Sequence, residues 1–251
     1  MADLHPTFEI MVRRLDRRSP LGEGDRQALL SVPHTVRKLP AGAHFIRDGD
    51  RPESCGLLLS GFAHRYKITG QGARQIISIH MAGEFLDLQN SFLDVSDHSV
   101  QTLTEADIAY IPHQAIQQLA LTNSAIGRAM WIDTLIDSSI FREWVVNVGR
   151  RDSRARVAHL LCEFSLRIEA AGLARNHRYE LPMTQEQLAD AVGLTSVHVN
   201  RVLRQLGEER LISRDKRSIV IEDWHRLREA GDFNERYLHH DAPAAAEAAR
   251  A

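Results

Sequence analysis

The chain has 251 residues, 43% hydrophobic and 25% charged, an ordinary globular composition that can fill one large domain or two of common size. A formal net charge of −2 excludes a global basic field, so any nucleic-acid contact has to come from a local patch. The only cysteines, Cys55 and Cys162, are far apart and in no C-x-x-C arrangement; this argues against a disulfide framework or a cysteine-held iron–sulfur cluster and for two reduced, partly buried thiols.

The N-terminal stretch MADLHPTFEIMVRRLDRRSP scatters Arg and Asp and shows no apolar secretory core. No apolar run approaches the ~18 residues of a membrane helix, so the expectation is a cytoplasmic protein without a membrane partner. Residues Pro6 to Val32 read as helical, with Phe8, Met11, Val12 and Leu15 at helical spacing and Asp25 placed to cap a second short helix ending near Leu30.

From about Thr35 the texture changes to short apolar runs: Ala43 to Ile46, Gly56 to Leu59, Phe62 to Ile68, Arg74 to His80, and Val100 to Ile111. Gly49, Gly61, Gly72 and Gly83 punctuate them at intervals of 12, 11 and 11 residues. Turn signals at that rhythm predict an antiparallel sandwich or barrel of about eight strands over residues 35–112. Ala115 to about Val148 then reads as one long helix with no proline and a single glycine, Gly127. Ala129, Ile132, Ile136, Ile140, Trp144 and Val148 form its main stripe, and Met130, Leu135 and Val145 extend the apolar surface to neighbouring faces. Such a helix packs against two bodies, its own β unit and a second copy of itself, or else is simply buried within one larger domain. On the first reading Ile132, Ile136 and Ile140 are the dimer seam. A further helix runs from Arg154 to Ala170 and ends at Gly172 in the polar loop ARNHRY; after His240 an alanine-rich tail reads as frayed.

Between them lies MTQEQLADAVGLTSVHVNRVLRQL, Met183 to Leu206. Thr184 with Gln187 has capping-box spacing for a first helix, whose buried face is Leu188, Ala189 and Val192. Gly193 sits where a tight helix–helix corner needs a positive φ angle. Thr195 is placed to cap the second helix, with Val199, Val202, Leu203 and Leu206 pointing inward. Val197, Asn200, Arg201 and Arg204 are left along one outward strip at i, i+3, i+4 and i+7. A recognition helix enters the major groove in this way, arginine suiting guanine and asparagine suiting adenine, so Arg201 and Asn200 are the best-suited base readers. A basic hairpin follows, Leu211 to Arg214 and Ser218 to Ile221, with Lys216 and Arg217 at its tip as a phosphate-touching wing. The candidate DNA-contacting set is Thr184, Thr195, Ser196, Val197, His198, Asn200, Arg201, Arg204, Lys216 and Arg217. The bland alternative is a solvated amphipathic helix pair, since residues 175–228 hold 10 Arg plus Lys against 8 Asp plus Glu. The ordered succession of capped helix, glycine corner, capped basic helix and hairpin is more specific than any one part.

Met183 to Ile221 resembles the C-terminal DNA-binding domain of the cyclic-AMP receptor protein/fumarate–nitrate regulator (Crp/Fnr) family of bacterial transcription factors. SGFAHRYKITGQG and HMAGEFLDL are similar to stretches of that family's cyclic-nucleotide-binding-type β-roll, and about residues 8–238 fit the family order. The resemblance implies an α+β fold: N-terminal helices (1–34), an antiparallel, jelly-roll-like β-roll (35–113), a long dimerisation helix (114–149), a winged helix-turn-helix (150–238) and a flexible tail (239–251). It implies a non-enzymatic homodimer on two-fold symmetric double-stranded DNA, with RNA polymerase as a partner if the protein activates.

The resemblance also implies an effector pocket around Gly83, Glu84, Phe85, Leu88, His98 and Ser99, but the phosphate cassette of cyclic-AMP-binding members is broken. Gly83 and Glu84 match its opening, the second Gly-Glu pair falls on Asp87 and Leu88, and its arginine falls on His98. No arginine lies between Arg74 and Arg128, and a neutral histidine does not replace a permanently charged, bidentate guanidinium. Cyclic AMP is therefore not the expected effector, no cofactor is expected, and haem stays open through His80 and His98. Val197 stands where many members have a cytosine-reading glutamate, while Arg201 matches the guanine-reading arginine. The competing function class is a ligand-binding β-roll module that regulates a protein partner or enzyme without sequence-specific DNA binding.

Overall fold

The structure, a computed structural model, describes residues 8–240; the expected tail beyond His240 and the first seven residues lie outside it. The helical spacing at the start is realised as α1 (Phe8–Arg18) and α2 (Glu23–Leu30), with Phe8, Met11, Val12 and Leu15 all buried. Asp25 does cap, but from inside the first turn. Its carboxylate accepts from the Gly22 N–H at 3.0 Å, so the cap position is Gly22 and α2 starts ahead of Asp25.

Seven strands follow among the described residues: β1 (Thr35–Leu39), β2 (His44–Ile46), β3 (Ser54–Leu58), β4 (Phe62–Ile68), β5 (Arg74–Met81), β6 (Ser99–Thr102) and β7 (Ala106–Pro112). They form two sheets, ordered β1-β7-β3 and β2-β6-β4-β5. The expected run Val100 to Ile111 is two strands, because Thr104 turns the chain, its hydroxyl accepting from the Phe62 N–H at 3.0 Å. At Gly61 φ is +80° and an added Cβ would fall on the Glu105 carbonyl, so this corner admits only glycine. Strands β3 and β7 are buried on both faces. Cys55, Leu57, Ala109 and Ile111 join a core with α1 and α2, while Leu58, Ala106 and Ile108 join Ile46, Ala63 and Val100 in a second core. Period-two alternation thus sends successive residues into different cores.

The expected single helix over 114–149 is two helices, α3 (His113–Thr122) and α4 (Ser124–Arg150), broken at the extended Asn123. Gly127 permits the break: a Cβ there would collide with the Ala120 carbonyl.

The described residues form two compact units, one of residues 8–65 and 79–138 and the other of 66–78 and 139–240. The second contains α5 (Ser153–Ala170), β8 (Arg178–Glu180), α6 (Gln185–Val192), α7 (Ser196–Glu208), β9 (Ile212–Asp215), β10 (Ser218–Ile221) and α8 (Trp224–Ala230), with sheet order β8-β10-β9. Strand β8 is hidden in the polar ARNHRY stretch because only Tyr179 of its three residues is buried.

Under these elements lies a polar core. Glu163 accepts from Trp144 Nε1 (3.0 Å), Tyr237 Oη (2.8 Å) and Arg167 Nη1 (3.1 Å). His159 beside it donates from Nδ1 to the Gly231 carbonyl at 3.2 Å and places Nε2 3.0 Å from the Tyr237 hydroxyl. Burial, reinforced by the nearby Arg151 charge, pushes the His159 pKa down to about 4 from 6.5. The native ring is therefore neutral where an unfolded one takes up a proton. Stability present above about pH 6.5 should fall as the pH drops towards 4, by up to roughly 3 kcal/mol. Denaturant unfolding across that range should show the slope in the wild type and lose most of it in His159→Gln; an unchanged slope would assign the effect elsewhere.

Candidate nucleic-acid interface and effector pocket

The corner between α6 and α7 is built as its residues dictate. Thr184 Oγ1 accepts from the Gln187 N–H at 3.2 Å while Gln187 Oε1 accepts from the Thr184 N–H at 2.8 Å, a closed capping box. Gly193 ends α6 in the left-handed region at φ +64°. Thr195 Oγ1 caps α7 through the His198 N–H at 3.2 Å. Val199, Val202, Leu203 and Leu206 are buried, which fixes the rotation of α7 and turns Ser196, Val197, Asn200, Arg201 and Arg204 to solvent. Thr184 and Thr195 are also exposed, whereas His198 is half-buried and off the strip. Lys216 and Arg217 stand exposed at the turn between β9 and β10, where Lys216 takes φ +51°.

The arginines around this corner divide into two sets. Arg154 pairs with Glu209, and Arg156 donates to the Val192 carbonyl at 3.3 Å. From the start of β5, Arg74 Nε meets Asp190 Oδ2 at 2.6 Å and Gln75 Nε2 donates to the Ala191 carbonyl at 3.3 Å. The side chains of Asn200, Arg201, Arg204 and Lys216, by contrast, engage no hydrogen bond or ion pair among the described residues. The first set holds the corner together; the outward set is uncommitted. Val197 is 80% exposed, an apolar knob between polar neighbours.

In the first unit, Glu84, Phe85 and Leu88 line a cavity of about 30 Å³, together with Arg14, Arg65, His80, Gln89, Asp133, Thr134 and Asp137. That is room for about one water molecule. Arg14 Nη1 lies 3.0 Å from Glu84 and Nη2 3.0 Å from Asp133; Arg65 Nη1 lies 2.6 Å from Asp137, and His80 Nδ1 3.3 Å from Glu84. Desolvation opposes the Asp137 charge, but the Arg65 guanidinium outweighs it and holds that carboxyl below the usual range. The His80 pKa is lowered as well, first by burial and then by the Arg65 charge, which here disfavours the charged form.

Two family models match the sequence, a cyclic nucleotide-binding domain over residues 36–123 and a Crp-like helix-turn-helix domain over 155–230. The nitrogen fixation regulation protein FixK of Rhizobium meliloti is 29% identical over 202 residues, 77% of this chain and 86% of its own. The transcriptional activator FnrL of Cereibacter sphaeroides is 25% identical over 215 residues, 84% and 86% of the two chains. The chain belongs to the Crp/Fnr family. The solved structure of FixK2 from Bradyrhizobium japonicum shares the fold, with a TM-score of 0.73 over 79% of this chain and 98% of its own at 22% identity. A Crp/Fnr protein is a DNA-binding transcription regulator and not an enzyme, and no described helix is long and apolar enough to cross a membrane.

As a Crp/Fnr β-roll, the pocket gathers only half of the residues expected for it. Gly83 packs against Ile10 of α1, Ser99 accepts from the Asp48 N–H at 3.0 Å, and His98 is engaged by Asp97 at 2.8 Å, so these three do not line the cavity. Arg14, Asp133 and Asp137, which do, are absent from the sequence-based set. Asp133 and Asp137 follow Ala129 at steps of four on the helix, and that spacing was the available signal. Among the described residues, no group of three or more His, Cys, Asp or Glu side chains is placed to hold a metal ion. His80 and His98 are both buried and paired with carboxylates, His80 beside a cavity far smaller than a haem.

None of the three residues expected at a dimer seam stands exposed in the single chain. Ile136 is 4% exposed within the single chain and packs inward, and Ile132 and Ile140 are half-buried. The face of α4 left to solvent carries Trp131 (68%), Leu135 (49%) and Val145 (54%), with Phe141 and Val146 beside them.

Proposed function

We propose that the chain is a homodimeric, cytoplasmic regulator that reads a two-fold symmetric DNA site with α7 and does not answer to cyclic AMP. The observation that carries the DNA reading is the uncommitted strip of α7, above all Arg201, rotated outward by four buried residues behind it. Arg201 and Asn200 read bases, Val197 touches a thymine methyl group, Arg204 and Ser196 flank them, and Lys216 and Arg217 hold phosphates. Dimerisation is supported by the exposed apolar residues of α4, three of which, Trp131, Leu135 and Val145, share with Ser138 and Arg142 a track at steps of four, three, four and three. That is the spacing of a coiled-coil seam. If the protein activates, as the name of FnrL says of that relative, RNA polymerase is its further partner.

Independence from cyclic AMP is supported by the pocket. A small-molecule site of ordinary size has ~300 Å³ or more, whereas this one has about 30 Å³. Its guanidinium groups already answer Glu84, Asp133 and Asp137. Selection of DNA sites from a random pool by the purified protein tests the first claim. Failure to enrich any sequence would favour a β-roll module acting on a protein partner. Millimolar cyclic AMP should leave both the melting temperature and the DNA affinity unchanged. A ligand at 100 times its Kd would add ~2.7 kcal/mol of stability, so a clear upward shift would defeat the second claim.

A further inference from the structure

Seven charged or titratable side chains of the first unit meet around the small cavity: Arg14 and Arg18 of α1, Arg65 of β4, His80 of β5, Glu84 in the turn that follows, and Asp133 and Asp137 of α4. Arg14 joins three elements. Its Nη1 meets Glu84 at 3.0 Å, while Nε and Nη2 fork onto the Asp133 carboxylate at 3.1 and 3.0 Å. Both carboxylates are buried, so each needs a counter-charge to remain ionised there. A planar guanidinium suits the task because one group presents donors to two carboxylates at once. Burial opposes the charge of Arg14, but Asp133 and then Glu84 outweigh it and raise its pKa, so the group stays cationic. Arg18 reinforces the α4 end of this bridge, its Nε 3.1 Å from the same Asp133 carboxylate.

We propose that Glu84 and Asp133 form a guanidinium-binding site whose standing occupant is this chain's own Arg14, so that α1 acts as a tethered effector joining the β-roll turn to α4. An effector works by binding the DNA-competent arrangement more tightly than the alternatives. A tethered group does so at a high effective concentration and needs no metabolite. The inference deepens the proposed independence from cyclic AMP and rests on it for its regulatory half. The binding half stands on the geometry alone.

Chemical rescue tests both. Arg14→Ala should lower the melting temperature and weaken specific DNA binding about tenfold or more, the scale of one charge-assisted bridge. Millimolar methylguanidinium should restore both, where methylammonium at equal concentration should not. Calorimetric titration should show methylguanidinium binding to Arg14→Ala, but not to the wild type, whose site is filled, nor to Arg14→Ala/Glu84→Gln. If Arg14→Ala does not fold unaided, recovery on refolding in methylguanidinium is the same positive result, and Arg14→Lys, which keeps the charge but not the fork, should fall between. No binding and no rescue would overturn the site. Binding with unchanged DNA affinity would overturn the effector role and leave the site. A wild type that selects no DNA sequence would defeat the regulator reading instead, with the calorimetry still deciding the site.

Discussion

Arg201→Ala should weaken binding to the selected DNA site by roughly tenfold to a hundredfold, the loss of a bidentate guanine contact worth about 1–3 kcal/mol. The loss should be confined to one base-pair position, where the selected consensus becomes degenerate. Folding should be untouched, because Arg201 is exposed and its side chain makes no intramolecular bond among the described residues. The helix beneath it is held by Val199, Val202, Leu203 and Leu206, none of which the substitution alters. Lys216→Ala is the contrasting case. A phosphate contact carries no sequence information, so its removal should weaken all sites alike and reduce the slope of log affinity against log salt by about one. Repeating the site selection with both variants and titrating each at several salt concentrations separates them. An unaltered consensus with Arg201→Ala would mean that α7 does not read bases through this residue.

The DNA-reading corner was legible residue by residue because its signals are local. Thr184 and Gln187 close a capping box, Gly193 takes positive φ, and Thr195 caps α7, each a matter of neighbours within a few positions. The β-roll rhythm was legible for the same reason: Gly49, Gly61, Gly72 and Gly83 all take φ between +80° and +90° at turns. What was not legible depended on contacts that residue spacing does not reveal. The break at Asn123 is invisible in helical spacing, since it depends on Gly127 letting the Ala120 carbonyl approach. Of the charges around the small cavity, Glu84 was within reach of the sequence reading, whereas Arg14 and Asp133 lie far from it along the chain and meet it only in the fold. The spacing of the long helix shows apolar faces, but not which one the β-roll covers. Asp133 and Asp137 follow the inward face that Arg14 and Arg65 reach, and that face includes Ile136.

The difference in exposure between the two faces of α4 gives the remaining prediction. Leu135→Asp should convert a dimer to a monomer at micromolar concentration, whereas Ile136→Asp should lower the melting temperature of the first unit whatever the oligomeric state. Leu135 is half exposed in the single chain, so an aspartate there is solvated in the monomer and costs it little. In a two-fold dimer the same residue from each copy approaches the axis, so the substitution would bury two like charges at once. Removing an unpaired charge from water in that way costs several kcal/mol, enough to move a dissociation constant by two or more decades. DNA affinity should fall with it, because two half-sites engaged by one rigid dimer gain ~10²–10⁴ over single engagement. Ile136 is buried, and an aspartate there meets an apolar core in every assembly state. Sedimentation and melting of the two variants side by side decide between the faces. Dimeric Leu135→Asp with full DNA affinity would place the seam elsewhere, and a wild-type monomer that still binds its site tightly would remove the need for one.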